Sequence, residues 1–308
     1  MTERLRGVLA PVVTPFRANY EPDTERLIAH CRWLLGSGAS LAIFGTNSEA
    51  NSMSVDERLR LTDALLEAGV PAARMMPGTG ACSITDAITL TRHAVKNGAA
   101  GALMLPPFYY KGVSEEGLFA YYAQVIEQVA SDDLRVYLYH IPQVTQVPIT
   151  LRLIEMLRWR YPRTVVGAKD SSGVWDNTEA MLNAFAKDGF DVFPASESLL
   201  SQAMPLGAAG CISATVNVNP AGIRAVYDKW NTPEGAQLQS RADAVRNIFQ
   251  GPAMIPAMKR TIAEFSGQPD WAVVRPPLVA LHEDAATQLR DQLRAAQFTM
   301  PGYVSSES

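Results

Sequence analysis

Cysteine and histidine are scarce in this chain of 308 residues. The three cysteines, Cys31, Cys82 and Cys211, are odd in number and lie far apart without a C-x-x-C, so neither a disulfide framework nor a zinc site reads from them. The four histidines, His30, His93, His140 and His282, form no H-x-x-x-H or H-E-x-x-H pair. Also missing are G-x-x-x-x-G-K-[ST], G-x-G-x-x-G and G-x-S-x-G; Gly45, Gly78 and Gly80 fall in short turns instead. The chemistry is therefore expected to need neither metal nor nucleotide. With 27 basic against 31 acidic residues and a net charge of −4, there is no electrostatic footprint for nucleic acid. No apolar run reaches the ~18 residues of a membrane span. The start, Met1-Thr-Glu-Arg-Leu-Arg-Gly7, lacks the apolar region of a signal peptide. These absences point to a soluble, cytoplasmic protein with neither a nucleic-acid nor a membrane partner. What is present, 47% hydrophobic residues, suffices for a large core and excludes intrinsic disorder.

Apolar strand-like runs end near Thr14, Gly45, Thr79, Pro106, His140, Lys169, Ala195 and Ser213, at a mean spacing of about 28 residues, close to the length of a βα unit. They are short and almost continuously apolar, as in a parallel sheet covered on both faces. The segments between them have helical periodicity: Leu27, Ile28, Cys31, Leu34 and Leu35 form one face, and Leu118, Phe119, Tyr122, Val125, Ile126 and Val129 another. Ser54-Val-Asp-Glu57 is a capping-box pattern, and Ser83, Ser114 and Ser196 stand at N-cap positions. Eight strands in strict alternation with helices leave a closed barrel or an open doubly wound sheet. The absence of a glycine fingerprint after the first strand favours an α/β fold of the (β/α)8 TIM barrel kind. After residue 218 the strands stop. Asn219-Pro220 opens a helix, and helical patterns follow around 235–250, 254–266 and 285–297. The expected division is a catalytic barrel over 1–218 and a C-terminal helical extension over 219–308, with Ser305–Ser308 a frayed end.

In such a barrel the site forms at the C-terminal ends of the strands. Lys169 closes the apolar run Val165-Val-Gly-Ala-Lys169. A lysine there is ordinarily a solvated edge or a snorkelling cap. The alternative is an amine that loses hydration in the barrel mouth, where its neutral form attacks a ketone and the iminium then serves as an electron sink. Tyr139, in Val136-Tyr-Leu-Tyr-His140, is either a core tyrosine with a locally bonded hydroxyl or a proton relay. Thr46, Asn47 and Ser48 are either a βα turn or a nest of hydroxyl, amide and backbone N–H groups for a carboxylate. Tyr109 and Tyr110 read equally as buried aromatics or as an oligomer contact.

Taken in order, these clusters resemble the dihydrodipicolinate synthase / N-acetylneuraminate lyase family of class I Schiff-base pyruvate aldolases. The resemblance runs through Gly7-Val-Leu-Ala-Pro-Val-Val-Thr-Pro-Phe16, Gly45-Thr-Asn-Ser-Glu49, Pro77-Gly-Thr-Gly80, Pro107-Phe-Tyr-Tyr110, Tyr139-His-Ile-Pro142, Gly167-Ala-Lys-Asp-Ser-Ser-Gly173 and Gly210-Cys-Ile-Ser213. Val274-Arg-Pro-Pro-Leu278 extends it into the C-terminal part. It implies that Lys169 forms an imine with a 2-oxo acid, typically pyruvate, with no cofactor besides that covalent link. It further implies that Tyr139 relays protons with Thr46 bonded to it, and that Tyr109 is lent across a tight dimer interface. Asn47 and Ser48 would bind the carboxylate and Ile212 would line the pyruvate pocket. A homotetramer, a dimer of tight dimers, is the implied assembly.

Departures from the family pattern bear on the second substrate. Lysine-making synthases carry an arginine two residues after the proline of Tyr-x-x-Pro, gripping a carboxylate. Here that position is Val144, and neither Gln143 nor Gln146 replaces a bidentate guanidinium in kind. Ala195 replaces a usual glycine, and Thr46-Asn-Ser-Glu49 is nearer to the 4-hydroxy-2-oxoglutarate aldolase branch than to Thr-Thr-Gly-Glu. The expected function is a lyase that makes or breaks a C–C bond between pyruvate and an aldehyde. The aldehyde pocket falls to His140, Gln143, Val144, Ser171 and Ser196. Dihydrodipicolinate synthase proper, a 2-keto-3-deoxy sugar acid dehydratase and a non-catalytic barrel are the competing readings.

Overall fold

The computed structural model describes residues 4–251 and 253–303; the expected frayed end at Ser305–Ser308 lies outside them. Among the described residues, strands β1 (Gly7–Ala10), β2 (Ser40–Leu41), β3 (Ala102–Met104), β4 (Val136–His140), β5 (Val165–Asp170), β6 (Asp191–Pro194) and β7 (Gly210–Ile212) alternate with helices. The helices are α1 (Thr24–Gly36), α2 (Val55–Glu67), α3 (Ile84–Lys96), α4 (Glu115–Val129), α5 (Pro142–Thr145), α6 (Leu151–Arg160), α7 (Trp175–Phe185) and α8 (Leu200–Ala203). Beyond β7 come α9 (Pro220–Lys229), α10 (Gly235–Phe249), α11 (Met254–Ser266) and α12 (Glu283–Ala295). The chain gathers into two compact units, residues 1–7 with 71–212 and residues 8–70 with 213–308.

In the first unit β3, β4, β5 and β6 form a parallel sheet in that order. The order follows the sequence without reversing, whereas a doubly wound sheet has a switch point. One face of these strands packs Ala102, Met104, Val136, Leu138, Ala168 and Val192 against the inward faces of α4, α6 and α7. The α4 stripe is the expected one, except that Phe119 sits at its half-buried edge while Tyr121 is buried. Ser83 and Ser114 cap α3 and α4, accepting from Asp86 N at 3.3 Å and Gly117 N at 3.1 Å. The expected third strand, ending at Thr79, is instead a bridged segment: Gly78 pairs with Leu103, Leu103 N donates to Pro77 O, and Thr79 N donates to Leu103 O, each at 2.8 Å. Pro77 has no N–H to extend that ladder.

In the second unit Leu9 and Ala10 of β1 pair in parallel with Ser40 and Leu41 of β2. Ser54 and Glu57 form the expected capping box at the start of α2. Helices α9 to α12 fall close to the expected positions, and Phe249, Met258, Ile262, Trp271, Leu289 and Leu293 build their shared core. A buried clamp sits beside it. Asn217 Oδ1 accepts from Val13 N at 2.9 Å, and its Nδ2 donates to Pro11 O and Ala214 O. His30 Nε2 lies 3.2 Å from the same Oδ1, which already receives one N–H, so the ring proton belongs on Nε2.

Burial lowers the His30 imidazole from 6.5 to about 4, outweighing its bond to Asn217. Between those values the unfolded chain binds a proton that the folded chain refuses, so stability rises with pH across that window and is lost as pH falls through it. Denaturant midpoints measured from pH 7 to pH 4 are expected to show a loss of about 2–3 kcal/mol from this residue. His30→Phe should flatten that slope, and an unchanged slope would remove His30 as its source.

Candidate active site

Side chains alternate along a strand, so Tyr137 and Tyr139 share one face of β4 while Leu138 and His140 take the other. The parallel register sets Tyr137 opposite Gly167, Tyr139 opposite Lys169 and His140 opposite Asp170; on the far side of β5, Lys169 faces Phe193. Two rows result. The lower holds Tyr137, Gly167 and Asp191, where Tyr137 Oη donates to Asp191 Oδ2 at 3.3 Å and Arg4 and Arg6 approach the same carboxylate at 3.3 and 3.1 Å. Burial raises the Asp191 carboxyl against the pull of both arginines. The row above holds Tyr139, Lys169 and Phe193.

Lys169 and Tyr139 are each 3% exposed, which settles against a solvated edge or a snorkelling lysine. Lys169 Nζ donates to Tyr139 Oη at 3.2 Å and stands 4.2 Å from the centre of the same ring. A buried amine in hydrogen-bond contact with a buried phenol is the arrangement that imine formation requires, with a nucleophile and a proton carrier side by side.

Behind this pair is a second polar set, on the opposite strand face. Asp170 Oδ2 accepts from Thr178 Oγ1 of α7 at 2.5 Å and from Ser172 Oγ at 3.1 Å, while Oδ1 accepts from Ser172 N at 2.9 Å. His140 accepts the Ile149 N–H on Nδ1 at 2.9 Å, and burial lowers its basicity more than Asp170 raises it. His140 was expected among the pocket-lining residues; strand alternation turns it to the helix side, away from Tyr139 and Lys169.

The remaining expected residues of this unit lie near strand ends. Gln143 donates from Nε2 to Ser171 O, which joins the β4 and β5 loops. Val144 is 57% exposed, Ser171 is half-buried, and the half-buried Ser196 accepts from Ser198 N at 3.3 Å. Ile212 closes β7 fully buried. Tyr109 is 74% exposed and meets the equally exposed Tyr110 edge to face, 5.3 Å between ring centres, so neither is a core aromatic.

In the second unit Gly45-Thr-Asn-Ser-Glu49 folds as a single 3-10 turn over Thr46–Ser48. It lies between two non-glycine residues in the left-handed region, Phe44 at φ 58° and Glu49 at φ 57°, each costing roughly 1 kcal/mol or more. Ser48 was expected to offer its hydroxyl to a carboxylate. That hydroxyl is buried and spent within the unit, donating to Val12 O and accepting from Gly45 N at 3.2 Å, while Thr14 Oγ1 donates to Ser48 O at 2.8 Å.

Residues that sequence reasoning missed hold the end of the turn. Glu49 Oε1 accepts from Lys259 Nζ at 2.7 Å and its Oε2 from Arg275 N at 2.7 Å. Arg275 in turn donates to Tyr20 O, Ser52 O and both oxygens of Glu57, whose carboxyl its guanidinium draws down to about 2. The available signal was Lys259 itself, a charge on the apolar stripe of α11 with Ile262 and Ala263.

Set beside known proteins, residues 4–296 match the model of the "Dihydrodipicolinate synthetase family". The chain is 35% identical over 288 residues to the "Uncharacterized DapA-like lyase" of Chloroflexus aurantiacus, covering 92% of this chain and 95% of that protein. A dihydrodipicolinate synthase from Agrobacterium tumefaciens str. C58 has a similar structure, with a TM-score of 0.85, 32% identity, and 94% and 99% of the two chains covered. YagE from E. coli K12, a member of the same family solved in complex with pyruvate, is similar at a TM-score of 0.87 and 25% identity over 96% of this chain and 99% of that one. These likenesses assign the fold class: an α/β (β/α)8 barrel of parallel strands with a helical C-terminal extension.

Proposed function

The chain belongs to the dihydrodipicolinate synthetase family and is a lyase of it, and from that premise we propose that it makes or breaks a C–C bond between pyruvate and an aldehyde through an imine on Lys169. The observation that carries the reading is the 3.2 Å contact between Lys169 Nζ and Tyr139 Oη in a buried setting. The lysine amine adds to the ketone of the 2-oxo acid and water leaves, giving an iminium. In the cleavage direction a 4-hydroxy-2-oxo acid loses the proton of its C4 hydroxyl, the C3–C4 bond breaks, and an aldehyde departs. The electron pair passes to C3 as an enamine conjugated with the imine nitrogen. Protonation at C3 and addition of water return pyruvate and the free lysine, and Tyr139 carries protons in both imine steps. The covalent imine serves as electron sink, so no separate cofactor takes part.

Thr46 as the relay partner, Asn47 as the carboxylate host beside Ser48, and Ile212 as a wall of the pyruvate pocket are proposed on the motif resemblance. Ser48 acts by shaping the turn. For the aldehyde we propose Val144, Ser171 and Ser196. None of these carries charge, which favours an acceptor less acidic than aspartate semialdehyde. The exposed Tyr109–Tyr110 pair supports a tight dimer in which Tyr109 serves the neighbouring copy, two such dimers forming a homotetramer. The proposed catalytic barrel is 1–218, with 219–308 as its helical extension. The protein is proposed to act in the cytoplasm, and among the described residues no helix is long and apolar enough to cross a membrane.

The direct test is incubation with pyruvate followed by borohydride reduction and peptide mass spectrometry. The adduct is expected on Lys169; an unmodified Lys169 sinks the imine mechanism. Product analysis over a panel of 4-hydroxy-2-oxo acids should find pyruvate with an aldehyde, and a dehydrated 2-oxo acid in their place would make the enzyme a dehydratase. Tyr139→Phe keeps the buried ring and removes only the hydroxyl. It is expected to lower kcat about 10²–10³-fold, with the Lys169 adduct still accumulating on long incubation. An unaltered kcat would take Tyr139 out of the relay.

A further inference from the structure

Glu49 ends the Thr46–Ser48 turn in a left-handed conformation without being glycine, and its N–H closes the turn onto Thr46 O at 3.1 Å. Such a backbone persists where its surroundings over-determine it. Here both carboxylate oxygens are taken by different groups, Oε1 by the Lys259 ammonium and Oε2 by the Arg275 main chain, so the side chain has no freedom to rotate. Lys259 and Glu49 are 0% and 1% exposed and lie 210 residues apart in sequence. Lys259 also stands 4.5 Å from the centre of the Phe16 ring, and the Arg275 guanidinium 4.6 Å from the same centre. All these residues belong to the second unit.

A buried ion pair contributes little net stability, because desolvation of both charges offsets their attraction. Burial does depress the Lys259 ammonium despite Glu49 beside it. The neighbouring Arg260 shows the contrast: it is only half-buried, pairing with Glu264 and the exposed Glu283. What the buried pair does achieve is to fix the position of one loop residue.

We propose that Lys259 and Arg275 are positioning residues for the Thr46-Asn47 turn: acting through Glu49, they lock it in the form that receives a 2-oxo acid carboxylate. This rests on the imine reading above, in which that turn hosts the carboxylate of pyruvate. A loosened turn weakens capture of the acid, while a Lys169 that has met its ketone still forms the imine. The half-saturating pyruvate concentration should therefore move, and the adduct yield at saturation should not.

The experiment titrates pyruvate in the borohydride trapping of Lys169, using the full chain. In the double variant Glu49→Gln with Lys259→Met both charges leave together, so no orphaned charge remains buried. Half-saturation is expected to rise about tenfold or more, with the limiting yield within about twofold of the parent. Half-saturation unchanged within twofold in the folded variant, or a lower yield with half-saturation unmoved, overturns the proposal. Should the double variant not fold, Arg275→Met removes the half-buried guanidinium, whose bonds to Tyr20 O, Ser52 O and Glu57 anchor the main-chain N–H that Glu49 accepts. It is expected to raise half-saturation about threefold, and no shift there overturns the proposal equally. A parent protein that traps no pyruvate on Lys169 instead refutes the imine reading itself, which separates the two failures.

Discussion

Lys169→Met abolishes turnover: kcat/KM for cleavage of a 4-hydroxy-2-oxo acid is expected to fall by roughly 10⁴-fold or more, and borohydride fixes no pyruvate at this position. Methionine is close to lysine in length but offers neither a nucleophile nor a proton donor. The loss should be chemical, not structural, because position 169 is 3% exposed between Tyr139 and Phe193. An apolar side chain there removes a buried amine that must be desolvated, so the denaturation midpoint is expected to hold or rise. Loss of activity with an intact midpoint assigns Lys169 to the reaction. Turnover retained within tenfold would refute it as the nucleophile.

Gly167→Ala should have the largest effect on the fold for the smallest change in composition. A Cβ at Gly167 would lie 2.5 Å from Asp191 O and 2.5 and 2.6 Å from two ring carbons of Tyr137. The ring has no room to retreat. On its other side stands Gly101, where a Cβ would meet the same ring at 2.6 Å, and below it Tyr137 Oη is tied to Asp191. The ring thus lies between two glycines, and backbone blocks the remaining relief. The substitution is expected to cost about 3 kcal/mol or more, read as a shift of the denaturant midpoint. Because Gly167 and Tyr137 each lie two residues before Lys169 and Tyr139 on the same strand face, the displacement reaches the upper row as well. A loss of Lys169 trapping in the surviving folded fraction should accompany it. A midpoint within 0.5 kcal/mol of the parent would show that the sheet yields there, contrary to close packing.

Much of this architecture was legible before any coordinates. The recurring beat of apolar runs and amphipathic segments, the serine caps at Ser54, Ser83 and Ser114, and the change to helices after Asn219-Pro220 all depend on neighbours a few residues apart. That is the range over which spacing and propensity act. The bridged segment at Arg74–Thr79 departed from expectation for a local reason, a proline without an N–H. Strand alternation also carried the warning about His140: it follows Tyr139, so the two cannot share a face. The hydroxyl of Ser48 was a different matter. Its residue type suits an anion site, yet its partners, Val12 O and Gly45 N, follow from how β1 and the turn pack together.

The sequence by itself determined which residues can do the chemistry and which face of which strand each occupies, since a period of two or 3.6 is a property of the chain alone. The tertiary structure decided which of them meet. Register across β4 and β5 sets Tyr139 opposite Lys169, and a slip of one residue would set His140 there instead. Packing also decided that Glu49 is held by Lys259 and Arg275, and that the Tyr137 ring lies between Gly101 and Gly167. Such partnerships join positions far apart in sequence, and no local preference encodes them. They arise because a buried charge must find its opposite and a buried ring must find room.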